Sequence, residues 1–220
     1  MIKVIEFFRR RQGMPKDAFI KHWQQRHTQV VLGIKGLRRY VQNPVIPVEG
    51  LPPADFDGVV EVWFDDFETM RANGRSDYWP VVVEDEKRFI DRDSRALVLA
   101  DDPGPETLVP GWKLLAPVKK APGLDLAGFR DLLPAVLASC ESLSGVRESV
   151  CDLPILSSYQ RSRPVFADAV VALRFDDLPN LQAAVANGVC TSLAGEFAGE
   201  FASDSAVGPW LAVEERLIRG

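Results

Sequence analysis

The chain has 220 residues, 46% hydrophobic and 26% charged, with a net charge of −5 at pH 7. That composition is globular and supports a real core, and the interspersed charge excludes the basic stripe that a nucleic-acid partner needs. No run of about 18 apolar residues is present, so no membrane span is read, and the interrupted start "MIKVIEFFRRR" is too short for a signal peptide.

A strand is expected at 2–11, ending in Arg9-Arg10-Arg11, which read as a solvated edge. Gly13-Met14-Pro15 turns the chain into a helix from about 15 to 33, Pro15 suiting its first turn. A second strand follows at 37–43, a Pro- and Gly-rich loop at 44–54, and a β-branched, aromatic strand at 57–65. "DDFETMRA" opens a helical region, interrupted near Gly74, that runs to about 88, and a last strand lies near 94–100. The order is β-α-β-β-α-β, a ferredoxin-like unit.

The order then repeats. Lys3 and Lys113, Gly13 and Gly123, and Phe19 and Phe129 all stand 110 residues apart. "GLR" (36–38) answers "GVR" (145–147), and "VEVWFDDFETM" (60–70) answers "VALRFDDLPNL" (171–181). This is an internal duplication, with domains expected at 1–101 and 112–220 and the linker "DDPGPETLVPG" (102–111, with the preceding acid) between them. The expected fold is α+β: two tandem ferredoxin-like domains packed sheet to sheet, because each unit covers only one face of its sheet with helices. The recurrent "FDD" is read as acids at a helix N-terminus.

Cys140, Cys151 and Cys190 form no CxxC pair and read as free thiols in a reducing cytoplasm. The two histidines, His22 and His27, both fall in "FIKHWQQRHTQVV" (19–31). On an α-helix, residues five apart diverge by about 140°, so His27 is expected inward beside Phe19 and Trp23, and His22 outward. On that geometry the two imidazoles share no metal ion, and neither a metal nor a cofactor is expected.

The first half resembles the EthD family of the dimeric α+β barrel superfamily. The resemblance rests on Phe7, Arg9–Arg11, Gly13, Phe19, Trp23, His27, "GLRRYVQN" (36–43), "WFDD" (63–66) and "DEKRFID" (85–91). It implies a tandem fusion that builds within one chain the barrel that single-domain relatives build by dimerising, and it leaves open a homodimer of tandem barrels. Relatives in this superfamily include cofactor-free monooxygenases, lactone isomerases, polyketide cyclases, and haem-degrading and chlorite dismutase-like proteins. The implied ligand is a small aromatic or lactone-like molecule, and the fold alone does not choose the chemistry.

The duplication singles out His27. At offset 110, Trp23 and His27 are answered by Leu133 and Leu137, so a packing role there is filled by leucine, and the imidazole is assigned to chemistry. Its ordinary pKa suits proton transfer at neutral pH, and an apolar wall lowers it, favouring the neutral base. His22 is read as a surface residue and a secondary catalytic candidate. Tyr40 either polarises a substrate carbonyl or packs its ring. Asp55 or Asp57 makes a turn or orients an imidazole. Phe7, Trp23, Trp63, Tyr78 and Trp79 are the candidate substrate walls, core packing being their other reading. The expected function is a cofactor-independent lyase, isomerase or cyclase using His acid–base chemistry on an aromatic or polyketide-like molecule. A haem-binding or cofactor-free monooxygenase and a non-catalytic aromatic-ligand carrier are the alternatives.

Overall fold

The computed structural model describes residues 1–101, 110–160, 165–201 and 208–219. The linker expected at 102–111 lies almost wholly outside the described residues. No helix among them is long and apolar enough to cross a membrane. The chain divides into two units: Met1–Val45 with Asp55–Pro110 and Glu215–Gly220, and Ile46–Ala54 with Gly111–Glu214.

In the first unit, β1 (Ile2–Arg10) is followed by a helix in three parts: α1 (Lys16–Lys21), a π-helical segment (His22–His27) and α2 (Thr28–Leu32). Next come β2 (Leu37–Pro44), β3 (Gly58–Phe64), α3 (Phe67–Asn73), α4 (Trp79–Phe89) and β4 (Ile90–Asp101). The antiparallel order is β4-β1-β3-β2, with Lys3 opposite Trp63 and Phe7 opposite Val59. The central β1 is buried on both faces from Ile2 to Phe8, with one charged residue, Lys3 or Glu6, in each alternating set. Phe8, Phe19, Trp23, Phe89 and Ile90 form the core between sheet and helices.

The second unit repeats the order with β5 (Gly111–Val118), α5 (Leu126–Glu141), β6 (Glu148–Asp152), β7 (Ala169–Phe175), α6 (Leu178–Ala186), α7 (Val189–Phe201) and the first residues of β8 (Leu211–Arg219), the strand from Glu215 onward belonging to the first unit. Here β7 lies between β5 and β6, and Phe129, Leu133, Val136 and Cys140 of α5 pack on the sheet. The fold is α+β, with antiparallel sheets and the β-α-β-β-α-β order twice.

The repeated motifs turn out to be repeated contacts. Asp66 caps α3 by accepting from the Thr69 amide at 2.7 Å, and Asp177 caps α6 by accepting from the Asn180 amide at 2.8 Å. The acid before each cap holds the arginine of the "GLR" or "GVR" motif: Asp65 with Arg38, and Asp176 with Arg147 at 3.1 Å. The "FDD" motif is therefore structural in both halves. Gly13 and Gly123 turn the chain with φ of 76° and 90°, a conformation that costs glycine nothing.

The last strand of the first unit begins at Ile90, before the expected 94. Its polar start is absorbed in a bulge, where pairing with β1 shifts register between Phe7 and Arg9. Ser94 serves both sides of that bulge: its hydroxyl accepts from the Arg9 amide at 2.8 Å and donates to the Asp91 carbonyl at 2.6 Å.

Candidate active site

The helix carrying both histidines is not α-helical where they sit. Over His22–His27 it widens to a π turn, in which the i→i+5 hydrogen bond stacks residues five apart. The expected outward direction of His22 is thereby overturned, and both imidazoles meet Asp85 on α4. Nε2 of His22 lies 3.1 Å from Oδ1 of Asp85, and Nδ1 of His27 lies 2.9 Å from Oδ2. A carboxylate only accepts, so both imidazoles donate: His22 through Nε2 and His27 through Nδ1. The open lone pair of neutral His27 is then on Nε2.

Phe89, one turn beyond Asp85, backs both rings at centroid distances of 4.8 Å, stacked on His22 and tilted to His27. His27 is buried, while the His22 side chain keeps 13% of its surface. Burial lowers the His27 pKa from 6.5 to about 4, against the opposing pull of Asp85. Burial also works against the Asp85 carboxylate, but the hydrogen bonds from His27 and His22 outweigh it and hold its pKa below the ordinary value. Arg88 adds a positive charge 3.9 Å from Oδ1.

Behind the π turn stands Gln42 of β2, fully buried. Its Nε2 donates to the Trp23 carbonyl at 3.1 Å and to the Tyr40 hydroxyl at 2.7 Å. Tyr40 is fully buried; burial pushes its phenol far above the usual range, against hydrogen bonds from Gln42 and Trp23. That placement fits a packed ring anchored by its hydroxyl. Next to Asp85, burial raises the pKa of Glu86, whose carboxylate bridges Arg95 at 3.3 Å and Arg92 at 3.5 Å. Arg95 also pairs with Glu6 of β1.

The structure brings together His22, His27, Trp23 and Tyr40 from the sequence candidates and separates the rest. Phe8 faces the helices, where its ring stands 5.0 Å from Trp23; strand alternation therefore puts Phe7 on the other face. Trp63 shares that face with Lys3, whose ammonium lies 4.9 Å from the indole centroid and 2.9 Å from Glu61. Phe7 and Trp63 thus do not wall a pocket at His27. Tyr78 donates to the Val30 carbonyl at 3.0 Å and latches the start of α4 to α2, and Trp79 is half-buried at the first position of α4. Asp57 orients no imidazole, since it accepts from the Arg10 amide at 2.9 Å and pairs with the Arg10 side chain. Asp85, Glu86 and Gln42 escaped the sequence reading as functional residues, although Asp85 and Glu86 stand inside the "DEKRFID" motif and Gln42 inside "GLRRYVQN". Among the described residues no group of three His, Cys, Asp or Glu side chains is arranged to hold a metal ion.

The family model of the EthD domain matches residues 11–93, which include His22, His27, Gln42 and Asp85. Over that stretch, less than half of the chain, the sequence is similar to the EthD domain. No curated protein matches the chain. Among solved structures, an anthrone oxidase-like protein is 13% identical, with 99% of this chain and 93% of that one covered at a TM-score of 0.62. A haem-binding protein from Thermus thermophilus is 12% identical over 97% of this chain and 90% of its own, at a TM-score of 0.56. A variant chlorite dismutase from Candidatus Nitrospira defluvii is 11% identical over 99% and 92%, at a TM-score of 0.55. At these identities the likeness is one of fold.

Proposed function

We propose that this protein is a cofactor-independent lyase, isomerase or cyclase that moves a proton on a small aromatic, polyketide-like or lactone-like molecule. One observation carries the reading: the hydrogen bond of His27 Nδ1 to Asp85, which leaves a neutral imidazole with Nε2 open as the base. When Nε2 takes a proton, the positive charge develops beside a fixed carboxylate, and the same proton is later returned by the imidazolium as acid. His22 is the second donor that keeps Asp85 ionised and aimed. Burial of His27 keeps the resting imidazole neutral at pH 7.

A haem at this site would be held by His27 through Nε2, and an imidazole backed by a carboxylate is a good axial donor. The donor fits. Trp23, Tyr40, Gln42 and Phe89 around the pair are buried to 1% or less. The groove of about 700 Å³ lined by Arg9–Pro15, Asp57 and Asp91 includes neither histidine.

The test incubates the full chain with a panel of phenolic, polyketide-like and lactone compounds, with products read by mass spectrometry and oxygen uptake followed in parallel. Conversion without oxygen uptake that is abolished in His27→Ala supports the reading. Unchanged turnover in His27→Ala overturns it, as does tight binding without conversion in the wild type. Oxygen-dependent conversion, or a Soret band on adding haemin that disappears in His27→Ala, would replace it with the oxygenase or haem reading.

A further inference from the structure

We infer that Gln42 is the positioning residue that sets both imidazoles on Asp85, by holding open one π turn in an otherwise α-helical element. In an α-helix the Trp23 carbonyl would accept from the His27 amide. Here it accepts from the Thr28 amide, five residues on. Two further donors converge on the same oxygen: the Thr28 hydroxyl at 3.2 Å and Gln42 Nε2 at 3.1 Å. A side chain that inserts into the i→i+4 ladder is a recognised cause of such a local widening.

The orientation of the Gln42 amide is fixed by its partners. The Trp23 carbonyl can only accept, so the nitrogen must face it. Nε2 also reaches the Thr28 hydroxyl at 3.1 Å and the Tyr40 hydroxyl at 2.7 Å, while Oε1 is buried without a partner. A buried amide oxygen left unsatisfied destabilises the fold, and an apolar side chain of the same size would avoid that cost. Gln42 therefore makes sense as a device that acts on the helix.

The chain carries its own control. In the second unit the equivalent helix, α5, is α-helix from Leu126 to Glu141 with no π turn, although Pro134 within it withholds one backbone donor. At offset 110 its residues matching Trp23, His27 and Thr28 are Leu133, Leu137 and Ala138; with Arg38 set against Arg147, Gln42 is matched by Cys151. The inserted amide, the hydroxyl, the histidine and the π turn are absent together.

The significance of this device rests on the acid–base reading above, but its test does not, because it is read without substrate. In the full chain labelled with ¹⁵N-histidine, NMR should show two hydrogen-bonded imidazole N–H signals, His22 Nε2–H and His27 Nδ1–H. In Gln42→Leu one of them should be lost as the segment relaxes to α-helix and carries one ring away from Asp85. Retention of both signals in a folded Gln42→Leu protein, with only a lower melting temperature, overturns the assignment. Should that variant not fold, Gln42→Met keeps the length but brings no donor to the Trp23 carbonyl, and Thr28→Val replaces only the hydroxyl; the same loss is expected in Gln42→Met and a weakened signal in Thr28→Val. Two intact signals in both would equally overturn it.

Discussion

His27 donates through Nδ1 to Oδ2 of Asp85 at 2.9 Å, tying together two helices whose residues are 58 positions apart. The bond fixes which nitrogen of His27 is free, and it opposes the lowering of its pKa by burial. Asp85→Asn keeps the shape and removes the charge. An amide oxygen satisfies one imidazole donor and its NH₂ group confronts the other. The expected outcome is a His27 pKa displaced further down and a loss of about 1–3 kcal/mol in stability. NMR titration of the His27 ring and urea unfolding at pH 7 check the two parts separately.

The same burial makes stability depend on pH in a definite window. The pKa of His27 falls from 6.5 to about 4 on folding, so between those values the unfolded chain binds a proton that the native chain refuses. Stability therefore declines as pH falls from 6.5 towards 4, by about 3 kcal/mol at full development, and His27 adds no further decline below that. Asp85 acts in a different window: its folded pKa lies below 3.8, so its contribution is present above that value and is lost only at lower pH. Urea midpoints at pH 7.5 and 4.5 should differ clearly in the wild type and much less in His27→Leu. An equal drop in both proteins would assign the dependence elsewhere.

The β-α-β-β-α-β order was legible because period-two and helical patterns change character at Gly13, Gly36 and Gly74, and because the second half rewrites the same pattern. The ion pairs Arg38–Asp65 and Arg147–Asp176 explain why "GLR" and "FDD" recur together. The π turn was not legible. A periodicity of 100° per residue assumes the geometry that the segment breaks, and the cause of the break, Gln42, comes from another strand. Asp85 gave no local signal either, since an acid on an amphipathic helix is ordinarily solvated, and its two partners arrive from 58 and 63 residues away. Phe7 and Trp63 were misplaced for a simpler reason: an aromatic strand residue does not declare which face of the sheet it occupies when both faces are buried.

Tyr78 supplies a separate check on how α4 is held. Its hydroxyl donates to the Val30 carbonyl at 3.0 Å near the end of α2, and it occupies the space where a side chain on Gly33 would stand. Tyr78→Phe should cost about 1 kcal/mol, the net worth of one hydrogen bond. Gly33→Ala should cost more, because the added carbon displaces the ring as well as the bond. Thermal melts of the two variants and of the double variant check this. The double variant should be no worse than Gly33→Ala alone, since both changes remove the same latch.

The indole of Trp23 lies close over Gly58. A Cβ on Gly58 would lie 2.7 Å from Cζ3 and 2.9 Å from Cη2 of the indole, and 3.0 Å from Cε2 of Phe8. The indole cannot withdraw, because Phe8 and Phe19 hold it at centroid distances of 5.0 and 5.5 Å and it is 1% exposed. Gly58→Ala should therefore destabilise by about 1–3 kcal/mol, the usual cost of overpacking a filled core. Trp23 also bears the carbonyl on which the π turn closes, so displacement of its ring should disturb the His27 N–H signal as well as the melting temperature. Gly74→Ala is the control: Gly74 has φ of −63°, and the nearest atom to an added Cβ is 3.6 Å away, so neither stability nor the imidazole signals should change. Loss of stability in Gly58→Ala with both imidazole signals intact would show that the indole ring and its carbonyl move independently.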